Sequence, residues 1–253
     1  MAAAPGDVGG AGARGPGSRL AAAGRAAVAD DEIELATVEV LGALTYGQLR
    51  SFECTGRAIR HAPDARRADQ LAEFALREHA GYALLRDHLM EHTDLGPAVM
   101  DRQKPHFDAY FDRVPLGDWF EACTFFAVGL PVAADFGREL GPLLDERTGM
   151  AVVGALADRA PFEQFAMDHL REQLTSDEAR DRARGLVADM IGRALTGFQG
   201  VISDTDALKV LLASGGDEGE SGETRVRRLA LAVMEGHRRR IVDLGLEDLD
   251  EFA

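Results

Sequence analysis

The chain has 253 residues, of which 46% are hydrophobic and 6% aromatic, and its 43 acidic against 28 basic side chains give a formal charge of −15. That length supports one sizeable core, and the charge argues against a broad phosphate-binding surface, which needs clustered Lys and Arg. Cys54 and Cys123 stand alone, so neither a Cys-x-x-Cys metal site nor a disulfide-stapled secreted fold is expected, and both read as buried free thiols.

Residues 1–30 hold Gly-Gly, Gly-Pro and Pro-Gly breakers, nothing to bury and no apolar signal-peptide core, and they read as a disordered tail. No later run approaches the roughly 18 apolar residues of a membrane span, so a cytoplasmic protein with no membrane partner is expected. From Asp30-Asp31, apolar residues at helical spacing (Ile33, Val38, Leu41, Leu49, Phe52, Ile59) carry a first long helix to His61. Pro63 breaks it, and Asp64 is suited to cap a second helix that runs through Leu71, Phe74, Leu85 and Leu89 towards Thr93. A connecting helix follows from Gly96-Pro97 to about Arg113.

The apolar stretch from Leu116 to Glu146 is too long for a strand and reads as a third long helix, and a fourth returns from Thr148-Gly149 through Val152, Phe162 and Leu170. Thr175-Ser176-Asp177 caps a fifth, running from Glu178 to about Leu212. The acidic, Gly-rich segment 214–223 reads as a mobile loop, a last helix carries Val226, Leu229, Val233 and Ile241, and 247–253 form an acidic tail. Its Arg225, Arg227, Arg228 and His237 to Arg240 read as a solvated basic face. Two long hairpins separated by a short crossover outline an all-α, ferritin-like antiparallel four-helix bundle over residues 31–246, with a crossover helix and extra C-terminal helices.

In such bundles, metal ligands project inward at one height. Gln48 lies 15 residues before Pro63 and Glu78 lies 15 after it, so both stand about 22 Å from the turn at ~1.5 Å per residue. Leu130 and Pro161 straddle the second turn in a similar way, with Asp158 one helical turn from Pro161 and Gly81 three residues after Glu78. These six positions are expected to face one another, with any buried carboxylate protonated or hydrogen-bonded by Gln48 or a nearby Arg. Pro131 and Pro161 are expected to kink their helices there. His88 and His92, four apart near a helix end rich in acids, read as a solvated face rather than a metal site.

The segment from Val40 to Leu49, the piece Trp119-Phe120-Glu121, the run from Ala133 to Glu139, then Leu156-Ala157-Asp158 and the tail His237 to Arg240 together resemble the actinobacterial MiaE-like tRNA hydroxylase family of the ferritin-like superfamily. The resemblance spans roughly residues 35–245. It implies a di-iron site with Glu at position 48, Glu-x-x-His over 78–81, Asp at 130 and Asp-x-x-His over 158–161. Here those positions carry Gln48, Glu78, Gly81, Leu130, Asp158 and Pro161, and no Asp or Glu stands three residues before any histidine of the chain. The expectation is a degenerate site with no cofactor in a scaffold, dimerisation or small-ligand-binding protein, whose partners would be a second copy, another protein or a small apolar ligand. The alternative implied by the resemblance is a di-iron oxygenase of the tRNA hydroxylase type, its atypical site drawn from Glu78, Asp158, Glu121, Asp135 and Glu139. A nucleic-acid partner such as tRNA rests on the family likeness alone.

Overall fold

The computed structural model describes residues 16–156, 159–204, 206–214 and 221–247, and among them every regular element is helical. Helix α1 (Pro16–Ala58) starts inside the expected tail, where Ala21–Ala23 and Ala26-Ala27 are strong helix formers; residues 1–15 lie outside the described residues. A 3₁₀ turn, Ile59–His61, leads to Asp64, whose carboxylate accepts from the Arg67 N–H at 2.9 Å and caps α2 (Ala65–His92). Helix α3 (Gly96–Phe111) is the crossover.

The third long helix is composite. Asp118 caps α4 (Trp119–Thr124), a π turn occupies Phe125–Gly129, and α5 (Pro131–Leu140) ends in the 3₁₀ turn Gly141–Leu143. Leu130 N donates to the Phe125 carbonyl at 2.8 Å, the five-residue reach that defines the π turn. The fourth helix is broken into α6 (Glu146–Leu156) and α7 (Ala160–Gln173). Pro131 directly follows the π turn in a run whose backbone stays helical through Leu130, so the irregularity expected there is the widened turn. Pro161 interrupts no helix; it sits in the first turn of α7 after the non-helical Arg159, where a missing N–H is tolerated.

The fifth helix is likewise two, α8 (Asp177–Asp204) and α9 (Ala207–Ser214), before α10 (Gly222–Asp243). The loop expected over 214–223 is tighter, since Ser214 ends α9 and Ser221 caps α10; residues 215–220 and 248–253 lie outside the described residues.

Helices α1, α2, α4–α5 and α6–α7 form the bundle: α1 packs on α2, α2 on α6, α5 on α6 and α4 on α7. Crossover α3 lies against α1 and α8, while α9 and α10 cover the flank of α1 and α5. One core joins Leu71, Phe74, Phe125, Phe126 and Phe162, with Phe74 and Phe162 stacked at 4.3 Å. Fully buried Phe125 and Phe126 each contribute about 1.5–3 kcal/mol of apolar transfer. A second core, Leu41, Leu85, Leu89 and Val152, locks α1 and α2 onto α6. Both cysteines are buried, and burial pushes the Cys54 and Cys123 thiols up to about 11 and about 12.

Among the described residues the stretch Trp119–Leu143 alone has the length and apolar character of a membrane helix, contrary to the expectation that no run would approach that; 72% of its most apolar window is buried in the bundle. At the α5–α6 corner two backbones touch: a Cβ on Gly149 would stand 2.4 Å from the Gly141 carbonyl oxygen. Gly149→Ala is expected to lower stability by about 1–3 kcal/mol in chemical denaturation. Gly185→Ala, on an open face of α8 with nothing within 4 Å, is expected to raise it by about 0.5–1 kcal/mol.

Candidate functional site

The structure brings Gln48 of α1 and Glu78 of α2 into direct contact in the bundle centre. Gln48 Nε2 donates to Glu78 Oε2 at 2.9 Å and to the Glu78 carbonyl oxygen at 3.0 Å. The third member is Arg159, at the break between α6 and α7. Its Nη2 donates to Glu78 Oε2 at 2.7 Å and also to Gln48 Oε1. The side chains of Glu78 and Arg159 are 3% and 6% exposed, so this is an ion pair almost without water. Burial pushes the Glu78 carboxyl up and the Arg159 guanidinium down, each towards neutrality, and their mutual attraction opposes both.

Gly81 lies one turn from Glu78, where an added Cβ would meet the Ala155 carbonyl oxygen at 2.8 Å and Gln48 Nε2 at 3.0 Å. The α2–α6 approach therefore excludes any side chain at 81. Leu130 is buried at the end of the π turn. Pro161 is exposed on the first turn of α7 and does not join the cluster, while Asp158 lies outside the described residues.

The remaining candidate carboxylates are used elsewhere. Glu121 accepts from the Gly117 N–H at 2.6 Å and from Arg182 at 3.1 Å near the surface. Asp135 pairs with Arg138 and, at 2.7 Å, with Arg240, which also binds Glu163; Glu139 is exposed. Among the described residues no three His, Cys, Asp or Glu side chains are grouped to hold a metal. The donor set itself does not fit a di-iron centre. An amide, a glycine and a leucine stand where anionic or imidazole ligands are needed, and a guanidinium at 2.7 Å from the one carboxylate repels a divalent cation.

On the other side of Gln48 and Leu130 opens a cavity of about 250 Å³. Its walls are almost wholly apolar: Ala43, Phe107, Phe125, Leu130, Phe136 and Val233 are typical. Gln48 belongs to both places, lining the cavity while bonded to Glu78 and Arg159. A recess of about 10 Å³ adjoins the cavity, sharing Tyr110, Gly129, Val132, Ile191 and Ala194 with it, and His237 lines that recess. His237 is 4% exposed, and neither ring nitrogen has a partner in hydrogen-bond geometry. Burial lowers its pKa to about 4; the nearby Val128 carbonyl opposes this, Arg240 adds to it and Asp135 opposes it more weakly.

Residue spacing gives no sign of Arg159 or of the burial of His237, and contrary to expectation Arg225 and Arg240 of the supposed solvated face are buried, Arg225 donating to the Leu212 carbonyl at 2.9 Å. His88 is buried rather than solvated, bonded to Glu91 and to Thr148 Oγ1 at 3.0 Å each, so it ties α2 to α6.

Arg159→Leu strands a buried carboxylate and is expected to cost about 3–5 kcal/mol, and Glu78→Leu combined with Arg159→Leu to restore most of it; urea titrations of the three proteins check this. A second expectation concerns pH. With His237 at about 4 in the fold and ~6.5 unfolded, the unfolded chain binds the proton first, so stability falls as pH drops from 6.5 to 4. His237→Leu is expected to remove roughly 3 kcal/mol of that fall, read as the difference between the two pH–stability curves.

Comparison with known proteins agrees with this architecture. A search of curated proteins finds no match. A family model described as a ferritin-like domain of actinomycetes matches residues 31–215, from the inner part of α1 past the end of α9. The chain belongs to this actinomycete ferritin-like domain family.

Proposed function

We propose that this protein is a metal-independent, ferritin-like binding protein that takes a small apolar molecule into the cavity beside Gln48. The observation that carries the reading is the cavity itself: about 250 Å³, where an apolar cavity of ~150 Å³ already suffices for benzene. Sites for small molecules are typically concave and mostly apolar, with few polar groups, and that description fits these walls.

The cluster behind the cavity supports the same reading. In the MiaE-like resemblance, iron would supply positive charge between carboxylates. Here Arg159 supplies a positive charge to Glu78, and Gln48 replaces an anion with an amide that bonds both. The centre is then neutral overall and needs no metal. Its net effect is to hold the α1, α2 and α7 walls apart from the cavity's apolar side, with Gln48 as the lone polar contact from that cluster.

Titration with the neutral fluorophore N-phenyl-1-naphthylamine is expected to give saturable enhancement at one molecule per chain, with Ala133→Phe and Ala194→Phe, which project into the cavity, each weakening it at least ten-fold. Absence of saturable binding, or binding indifferent to both substitutions, defeats the ligand reading. Two irons per chain after anaerobic Fe(II) loading, with an oxo-bridge absorption band, defeats its metal independence.

A further inference from the structure

The cavity beside Gln48 is long rather than round, and two helices set its length independently. On α1, Val40, Leu44, Gln48 and Ser51 line it along one helix face. Val40 and Ser51 stand 11 positions apart, about 16 Å at ~1.5 Å per residue. A second wall runs from Phe125 of the π turn to Phe136 of α5, again 11 positions. The two walls are antiparallel with their ends matched. Phe136 joins the cluster that holds Val40 and Leu44, and Phe125 joins the cluster that holds Cys54, one turn beyond Ser51. Crossover α3 keeps step with α1: Gln103 donates to Glu39 at 3.0 Å, and further along a Cβ on Gly47 would meet the Phe107 ring at 2.6 Å.

The volume then fixes the width. About 250 Å³ drawn out over ~16 Å leaves a mean cross-section of about 15 Å². Carbon atoms in contact lie about 3.5–4.0 Å apart, so this section holds one polymethylene chain and not two abreast. Along the length, the Gln48 amide is engaged with Glu78 and Arg159, and Ser51 Oγ donates to the Gly47 carbonyl at 3.1 Å. The ends differ. Ser51 and Phe125 are 2% and 0% exposed and seal one end, whereas Glu39, 24% exposed and paired with Arg102, marks the end nearer water.

We propose that the cavity takes the single unbranched alkyl chain of a lipid, lying parallel to α1 with its terminal methyl at Phe125 and its polar head at the Glu39 end. An extended chain with C–C bonds of about 1.52 Å advances ~1.3 Å per carbon, so the slot accommodates about twelve carbons. A branched or compact ring system of equal carbon count fits the volume but not the section.

The assignment rests on the cavity-binding reading, and a homologous series of probes separates the two. Each of 1-hexanol, 1-octanol, 1-decanol, 1-dodecanol and 1-tetradecanol is titrated against bound N-phenyl-1-naphthylamine. Affinity is expected to rise about four-fold per methylene, equivalent to ~0.8 kcal/mol, and to level off near 1-dodecanol. Cyclododecanol is expected to bind at least about a hundred-fold more weakly than 1-dodecanol, well beyond their difference in partition into octanol. Ser51→Leu builds into the sealed end and is expected to move the break about two carbons shorter. Its unchanged slope from 1-hexanol to 1-octanol also shows the variant folded with its cavity open. If that variant does not fold, the series and cyclododecanol on the unaltered protein decide the case.

A slope that continues through 1-tetradecanol, cyclododecanol equal to 1-dodecanol, a break unmoved in folded Ser51→Leu, or alkanols that leave a bound fluorophore in place overturns the chain assignment alone. Failure of the fluorophore and every alkanol to bind overturns the cavity reading and this inference with it.

Discussion

The Glu78–Arg159 pair is the constraint around which the bundle is arranged. Two opposite charges in a dry interior are tolerable only with close geometry and further hydrogen bonds, and Gln48 serves both partners through the two ends of its amide, while Arg159 Nε and Nη1 stay buried without a hydrogen-bond partner. Three segments distant in sequence must therefore meet at one point. Arg159 reaches inward because the fourth helix stops at Leu156 and restarts at Ala160; a continuous helix would commit its backbone to another path. Position 81 must lack a side chain because α6 passes against it. Such a pair specifies register more than it adds stability, since apolar replacements of equal shape are often as stable.

From that charged centre the interior becomes apolar over a single residue. Gln48 has its amide in the ion-paired cluster and its flank on the cavity, and Leu130 closes the same wall. The π turn at Phe125–Gly129 belongs to this transition. It precedes a proline that has no N–H to give, and the widened turn redirects Phe125, Gly129 and Leu130 towards the void. On the far side, buried arginines do structural work: Arg225 closes the end of α9 and Arg240 joins α10 to two other helices.

Much of this was readable from residue spacing. The cap at Asp64 and the hairpin it begins follow from side-chain chemistry next to a proline, and equal distances from that turn placed Gln48 beside Glu78. Partnerships across long separations were not readable. Nothing local marks Arg159 as the mate of a carboxylate 81 positions earlier, although a buried acid implied that some arginine would come. Pro161 is hard to place for a related reason: whether it bends a helix or starts one depends on where the preceding helix ends, and no glycine announces the stop. His237 lies in a basic run whose charge dominates its appearance, while its burial depends on how α10 docks on α5.

The apolar segment Trp119–Leu143 has a consequence for biosynthesis. Its covering partners include α6, α7 and α10, and α10 ends at Asp243, about 100 residues downstream of Leu143. At roughly 5–20 residues per second of translation, the nascent chain carries that surface uncovered for on the order of 5–20 seconds. During that interval the ribosome presents a greasy 25-residue span to chaperones and to the membrane-insertion machinery alike, and the speed with which α6 folds back decides which of them meets it.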